Sequence, residues 1–253
     1  MDGVGAALRV GRGVVTYQVE GEGAPVVAVH GLPGSARDFR RLLGASAGVR
    51  MIRLNLPGFA GSTPVEPNGD WEALIAVLVE AARELAGGPF VLLGHSFGAF
   101  AVLQAAARCA EVRGVALLAP SGLRPHAGLR SLGPEWWLKG LTKSWVTREG
   151  FYRGMLRTAV GRHASRLESD VTLGLLASAD FAAVRAAVAS LRVPVFCASC
   201  LDDELVEPAI VAELLAVLNT QQWLEFERGG HAPQREYAVE IGAALVAFAN
   251  GCV

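Results

Sequence analysis

Residues 94–98 read Gly-His-Ser-Phe-Gly, and a serine between two glycines is a candidate nucleophile if the chain turns sharply there. An apolar run, Phe90 to Leu93, comes before it and a stretch of strong helix formers, Ala99 to Ala110, comes after. Strand must therefore give way to helix within five residues. Such a turn forces the serine into a strained backbone conformation, and a side chain two residues away on either side would strike strand or helix. Ser96 Oγ then stands out at the carboxyl end of a strand beside a helix N-terminus, where developing negative charge is stabilised. A serine hydroxyl is nearly all protonated at neutral pH, so attack on a carbonyl needs a base within hydrogen-bond reach. The pentapeptide also arises by chance, and a serine between glycines is most often only a turn. The rest of the chain decides.

With 253 residues, 52% hydrophobic and 19% charged, the chain can bury a large core without staples and is not disordered. The net charge of -1 gives no electrostatic case for nucleic acid or an anionic membrane. No nucleic-acid or membrane partner is expected, and a small neutral ligand is. Met1 to Gly5 show no basic region leading into an apolar stretch, and no run reaches the roughly 18 residues of a membrane span, so a cytoplasmic protein is expected. Cys197-x-x-Cys200 has the spacing of a redox or zinc half-site but falls in the apparent strand Val195 to Cys200, where residues three apart face opposite ways. Core packing is the expected role. No His/Asp/Cys group shows ligand spacing, so neither a metal nor a cofactor is implied.

The elements that must position Ser96 follow from periodicity and breakers. Ala6 to Val10 and Val14 to Glu20 form a hairpin about Gly11-Arg12-Gly13; Pro25 to His30 is a strand running into a glycine-rich loop. Ser35-Ala36-Arg37-Asp38 has capping-box spacing before a first helix, Val49 to Asn55 is a strand, and Leu56 to Pro64 is a loop. Asp70 caps a helix with Trp71, Leu74, Leu78 and Leu85 on one stripe, ending at Gly87-Gly88. Strands at Gly114 to Ala119, Val195 to Cys200 and Gln222 to Phe226 alternate with helices at Glu207 to Leu218 and Gln234 to Asn250. The fold class is α/β: a mostly parallel central sheet with an antiparallel start, covered by helices on both faces.

Residues 121–190 break this alternation. They hold Trp136, Trp137, Trp145, Phe151, Tyr152 and Phe181 among basic residues. A segment of that length is not a structureless loop, so it reads as a helical cap inserted into a core made of 1–120 and 191–253. Its aromatics are expected mostly to glue cap to core, with one or two lining a pocket, and its Arg and Lys to be solvated.

Taken together, His30-Gly31-Leu32-Pro33-Gly34-Ser35, Asn55 to Ser62, Gly94 to Gly98, Asp203 and Gly229-Gly230-His231 make the chain resemble the α/β-hydrolase family over nearly its whole length. In that family a serine, an acid and a histidine follow one another in that order on loops at the carboxyl edge of the sheet. By that resemblance Ser96, Asp203 and His231 are the catalytic residues. His231 follows the last strand in a Gly-Gly turn that lets its loop approach the site. His126 and His163 lie in the cap, His30 opens the glycine loop, and His95 is expected to point away from the turn. Leu201-Asp202-Asp203-Glu204 offers neighbouring carboxylates; the family's spacing selects Asp203, with Asp202 as runner-up, and Cys200 stands where the family commonly has glycine. The resemblance also assigns the oxyanion donors, the backbone N–H groups of Leu32 and Phe97.

The implied activity is cofactor-independent hydrolysis of a carboxylic ester through an acyl-enzyme on Ser96, the substrate being an uncharged or weakly acidic small molecule. Epoxide hydrolases and haloalkane dehalogenases resembling this family carry aspartate at the turn, where this chain has Ser96. Thioesterase, lactonase, carbon–carbon bond hydrolase and acyltransferase chemistry share the fold, as does a non-catalytic ligand-binding protein. Nothing in the sequence sets the oligomeric state.

Overall fold

In a computed structural model that describes residues 5–65, 70–158 and 163–253, the apolar run at Phe90 becomes the middle of a sheet. Phe90–His95 (β5) is buried at every residue and has parallel partners on both sides, Ala24–Val29 (β3) and Val112–Leu118 (β6). A strand bonded along both edges and covered on both faces favours an unbroken apolar run. Beyond β3 lie Val49–Leu54 (β4), parallel to it, and the antiparallel strands Gly13–Glu20 (β2) and Ala6–Val10 (β1). Beyond β6 lie Val195–Cys200 (β7) and Thr220–Phe226 (β8), both parallel. Among the described residues the sheet has eight strands in the order β1-β2-β4-β3-β5-β6-β7-β8.

Alternation along the strands sorts side chains into two cores. Val27, Val29, Leu92, Leu117 and Cys197 pack in one core with the helices Trp71–Ala86 (α2), Phe97–Ala106 (α3), Phe181–Ser190 (α8) and Pro208–Leu215 (α9). Val26, Ala28, Leu93, Ala116 and Phe196 pack in the other, with the 3-10 turn Ala36–Phe39, the short helix Arg40–Leu43 (α1) and Ala238–Cys252 (α11). Cys197 and Cys200 are buried free thiols, and burial pushes Cys200 up to about 12.

Local signals act where the sequence puts them. The Asp70 carboxylate accepts from the N–H groups of Glu72 and Ala73 to start α2, and Gly87 ends it in the left-handed conformation. Ser35 and Asp38 form the capping box. Several boundaries differ. The elbow helix α3 starts at Phe97 rather than Ala99, because the turn is completed by Ser96 alone. The expected helix 234–250 breaks at Tyr237 into Pro233–Glu236 (α10) and α11. There φ is -113° and ψ 40°, and the Tyr237 ring lies flat on Phe226 with centroids 3.8 Å apart.

The segment 121–190 contains Ala127–Arg130 (α4), Glu135–Leu141 (α5), Trp145–Met155 (α6), Arg166–Ala177 (α7) and α8. α7 packs against α5 and α6, whereas α8 lies along α3, with the Phe181 ring edge-on to Phe100 at 5.6 Å. One expectation is corrected here: Trp136, Trp137 and Trp145 do not join this segment to the core but are exposed. Among the described residues no single helix is long and apolar enough to cross a membrane. Met1 to Val4, read above for a leader, lie outside the described residues.

Candidate active site

Ser96 links β5 to α3 with no residue to spare, at φ 55° and ψ -122°. That conformation is costly for an L-residue, about 1–3 kcal/mol, so the surroundings must impose it. Ser96 N donates to Leu118 O at 3.0 Å, and Ser96 O accepts from Ala99 N at 3.0 Å and Ser121 N at 3.3 Å. The flanking glycines are required by close approach. A Cβ at Gly94 would lie 2.7 Å from Ala99 N, and one at Gly98 only 2.2 Å from Val29 O. Gly98→Ala pushes backbone against backbone, so a loss of about 3 kcal/mol or more is expected. Urea denaturation of the variant beside the parent measures it.

His231 and Asp203, far from Ser96 in sequence, meet it here. His231 Nε2 is 2.7 Å from Ser96 Oγ, and His231 Nδ1 is 2.7 Å from Asp203 Oδ2. The other Asp203 oxygen accepts from Leu205 N at 2.9 Å and Val206 N at 3.0 Å. Burial alone would raise the Asp203 carboxyl, but the hydrogen bond and charge of His231 and the two backbone donors outweigh it. The net shift is downward, so Asp203 stays ionised. A carboxylate on Nδ1 leaves Nε2 free to take a proton from Oγ.

Asp202 has a separate task. Its two oxygens accept from Gly229 N at 3.2 Å and Gly230 N at 2.8 Å, gripping the turn that carries His231. His95 grips the same turn from beneath: its Nε2–H donates to His231 O at 2.8 Å. Sequence reasoning missed this contact. Burial, then the neighbouring His231, lowers His95 to about 4, so it remains a neutral donor.

The glycine loop lies directly against the elbow, since a Cβ at Gly31 would stand 2.9 Å from Ser96 Cβ. Among the described residues, neither Leu32 N–H nor Phe97 N–H has an acceptor. His30 supports the loop from below: Nδ1–H donates to Gly31 O at 2.7 Å and Nε2 accepts from Leu56 N at 3.0 Å. Only a neutral ring makes both bonds, and burial lowers its pKa to keep it so. Asn55 helps, taking Ala36 N–H on Oδ1 at 2.7 Å. His126 ties α4 to the acid loop, its Nδ1–H donating to Leu205 O at 2.8 Å. Glu207 joins the same seam, accepting from Ala127 N at 2.8 Å and pairing with Arg130. A signal for these supports existed only as residue types near the motifs.

Ser96 opens into a cavity of about 1650 Å³ walled by Leu32, Phe97, Leu129, Phe151, Met155 and Leu176. It is large for a single small ligand. An imidazole on a serine hydroxyl beside an apolar cavity can carry acyl transfer.

Comparison with known proteins places the fold in a family. The model of the Alpha/beta hydrolase family matches residues 26–244. The chain belongs to that family. This hydrolase is 30% identical over 92% of its length, and 96% of the relative's, to a pimeloyl-[acyl-carrier protein] methyl ester esterase of Stenotrophomonas maltophilia. Its fold superposes on an esterase from Exiguobacterium antarcticum with a TM-score of 0.77 at 17% identity, covering 97% of this chain and 99% of that one. It also superposes on haloalkane dehalogenase DbeA from Bradyrhizobium elkani with a TM-score of 0.78 at 21% identity, covering 98% of each chain. At such identities the two structures speak for the fold alone.

Proposed function

We propose that this hydrolase cleaves carboxylic esters through an acyl-enzyme on Ser96. One observation carries the reading: an unbroken hydrogen-bonded path from Ser96 Oγ through His231 to Asp203. Ser96 Oγ attacks the ester carbonyl while His231 Nε2 takes its proton. The N–H groups of Leu32 and Phe97 receive the developing oxyanion. His231 returns the proton to the departing alcohol, then draws one from water as it attacks the acyl carbonyl, and passes that proton to Ser96 Oγ as the acyl–Oγ bond breaks and the acid leaves. Asp203 holds the imidazole and offsets its positive charge. Helices α4 to α7 act as a cap that shapes the cavity.

The similarity to a methyl ester esterase favours a small alcohol as leaving group and a longer acyl part, which the cavity has room to hold. Serine at the elbow, where dehalogenases carry aspartate, favours an acyl-enzyme over displacement of halide. A fluorophosphonate is expected to label Ser96 alone, and p-nitrophenyl butyrate to be hydrolysed. A folded protein that takes no label is a ligand-binding protein instead. Thioester and lactone panels alongside esters of increasing chain length set the substrate class.

A further inference from the structure

Two helices over the cavity bury almost nothing: α5 buries only Leu138 and α6 only Met155. What they turn outward is large and apolar. Trp136, Val146 and Trp145 are 72%, 70% and 66% exposed, Trp137 is 50% exposed, and Leu132 beside them is exposed as well. Five exposed apolar side chains thus fall within residues 132–146, with the Trp136 and Trp137 rings edge to face at 6.2 Å, and apolar surface so concentrated marks a site of contact. Trp71 and Trp223 donate their indole N–H to Leu175 O and Ser199 Oγ, but among the described residues the three exposed indoles donate to nothing. An apolar ring with a free N–H is best placed where hydrocarbon meets water.

Charge gathers in the same stretch. Residues 132–158 carry Lys139, Lys143, Arg148, Arg153 and Arg157 against only Glu135 and Glu149, in a chain whose net charge is -1. The whole-chain figure, which argued against an anionic partner, averages this away. Lys139, ion-paired with Glu135 but well exposed, sits three residues from Trp136 and so shares its side of α5. Lys143 lies two residues before Trp145 and, among the described residues, has no carboxylate partner.

We propose that the α5–α6 face docks on an anionic lipid surface and that the enzyme takes its ester from that surface. The second clause rests on the esterase reading; the docking does not. Tryptophans projecting beside lysines from short, shallowly packed helices suit a surface that conforms to them, whereas a folded partner needs matching shape. None of the three tryptophans lines the cavity, yet Leu132, Phe151 and Met155 of the same stretch do. The wall that meets lipid outside meets the acyl cavity inside.

The test is sedimentation of the Ser96→Ala protein with vesicles of phosphatidylglycerol and phosphatidylcholine in equal parts, and with phosphatidylcholine alone. Binding to the anionic vesicles is expected, weakening about tenfold or more when salt rises from about 0.05 M to about 0.5 M. Lys139→Glu with Lys143→Glu should weaken it about twentyfold or more, each cation contributing about fivefold. Trp136→Ser, Trp137→Ser and Trp145→Ser together should weaken it at least tenfold, all variants keeping the parent's urea midpoint. The proposal is overturned if anionic vesicles do not bind, or if binding survives both sets of changes. It is equally overturned if the face instead mediates dimerisation in the ultracentrifuge, or binds an acidic acyl-carrier protein but not vesicles. Failure of the esterase reading shows separately, as no turnover of p-nitrophenyl butyrate by the wild-type protein without vesicles.

Discussion

Ser96→Ala is expected to lower kcat on p-nitrophenyl butyrate by about a millionfold, the scale on which loss of a serine nucleophile registers. In the proposed mechanism the hydroxyl, at the cavity end of the path from Asp203 through His231, forms the covalent intermediate, and alanine has no atom to take its place. Single-turnover assays with the purified variant measure the loss, and activity within about tenfold of the parent would sink the acyl-enzyme. The same position yields a stability effect of opposite sense. At φ 55° alanine is as strained as serine, but glycine is not. Ser96→Gly should therefore be more stable than Ser96→Ala by about 1 kcal/mol, read from urea midpoints.

The second large effect separates two adjacent carboxylates. Asp203→Asn keeps the shape but loses the charge and favours the wrong imidazole tautomer, so kcat is expected to fall about 10,000-fold. Asp202→Asn loosens only the grip on Gly229 and Gly230, and a drop of about tenfold to a hundredfold is expected from a slightly misplaced base. Equal losses at the two positions would contradict the division of labour. Asp203 also predicts an acid response. Its folded pKa lies below the ordinary carboxylate value, so its contribution to stability is complete above that value and disappears as pH falls through the depressed one. The wild-type protein should thus lose more stability than Asp203→Asn between about pH 5 and pH 2. Urea midpoints across that range test it.

What could be read from the sequence was whatever one stretch of chain states by itself. The elbow was legible because Gly94, Gly98, the apolar strand and the helix formers are contiguous. The capping residues Ser35, Asp38 and Asp70 were legible because their partners are two or three residues away. Asp202 and Asp203 could be told apart only by family spacing, since chemically identical neighbours differ solely in which way each points. The roles of His30 and His95 were hidden for a related reason. A histidine's partners fix its tautomer, and those partners are Leu56 and His231, distant along the chain. The tryptophans of residues 136–145 were misjudged because composition does not say whether a short helix buries one residue or several. The break at Tyr237 depends on Phe226, a residue in another element.

The holds on the turn before α10 have one property in common. Asp202 takes peptide N–H groups and His95 gives to a peptide carbonyl. The loop that carries His231 is thus held by its own peptide groups, not by the side chains along it. Substitution at Ala232 or Arg228 leaves those fastenings in place, whereas a residue with a Cβ at Gly229, where φ is 127°, twists the mounting itself. Changes of substrate preference can be sought around this turn through its exposed positions without unseating the imidazole.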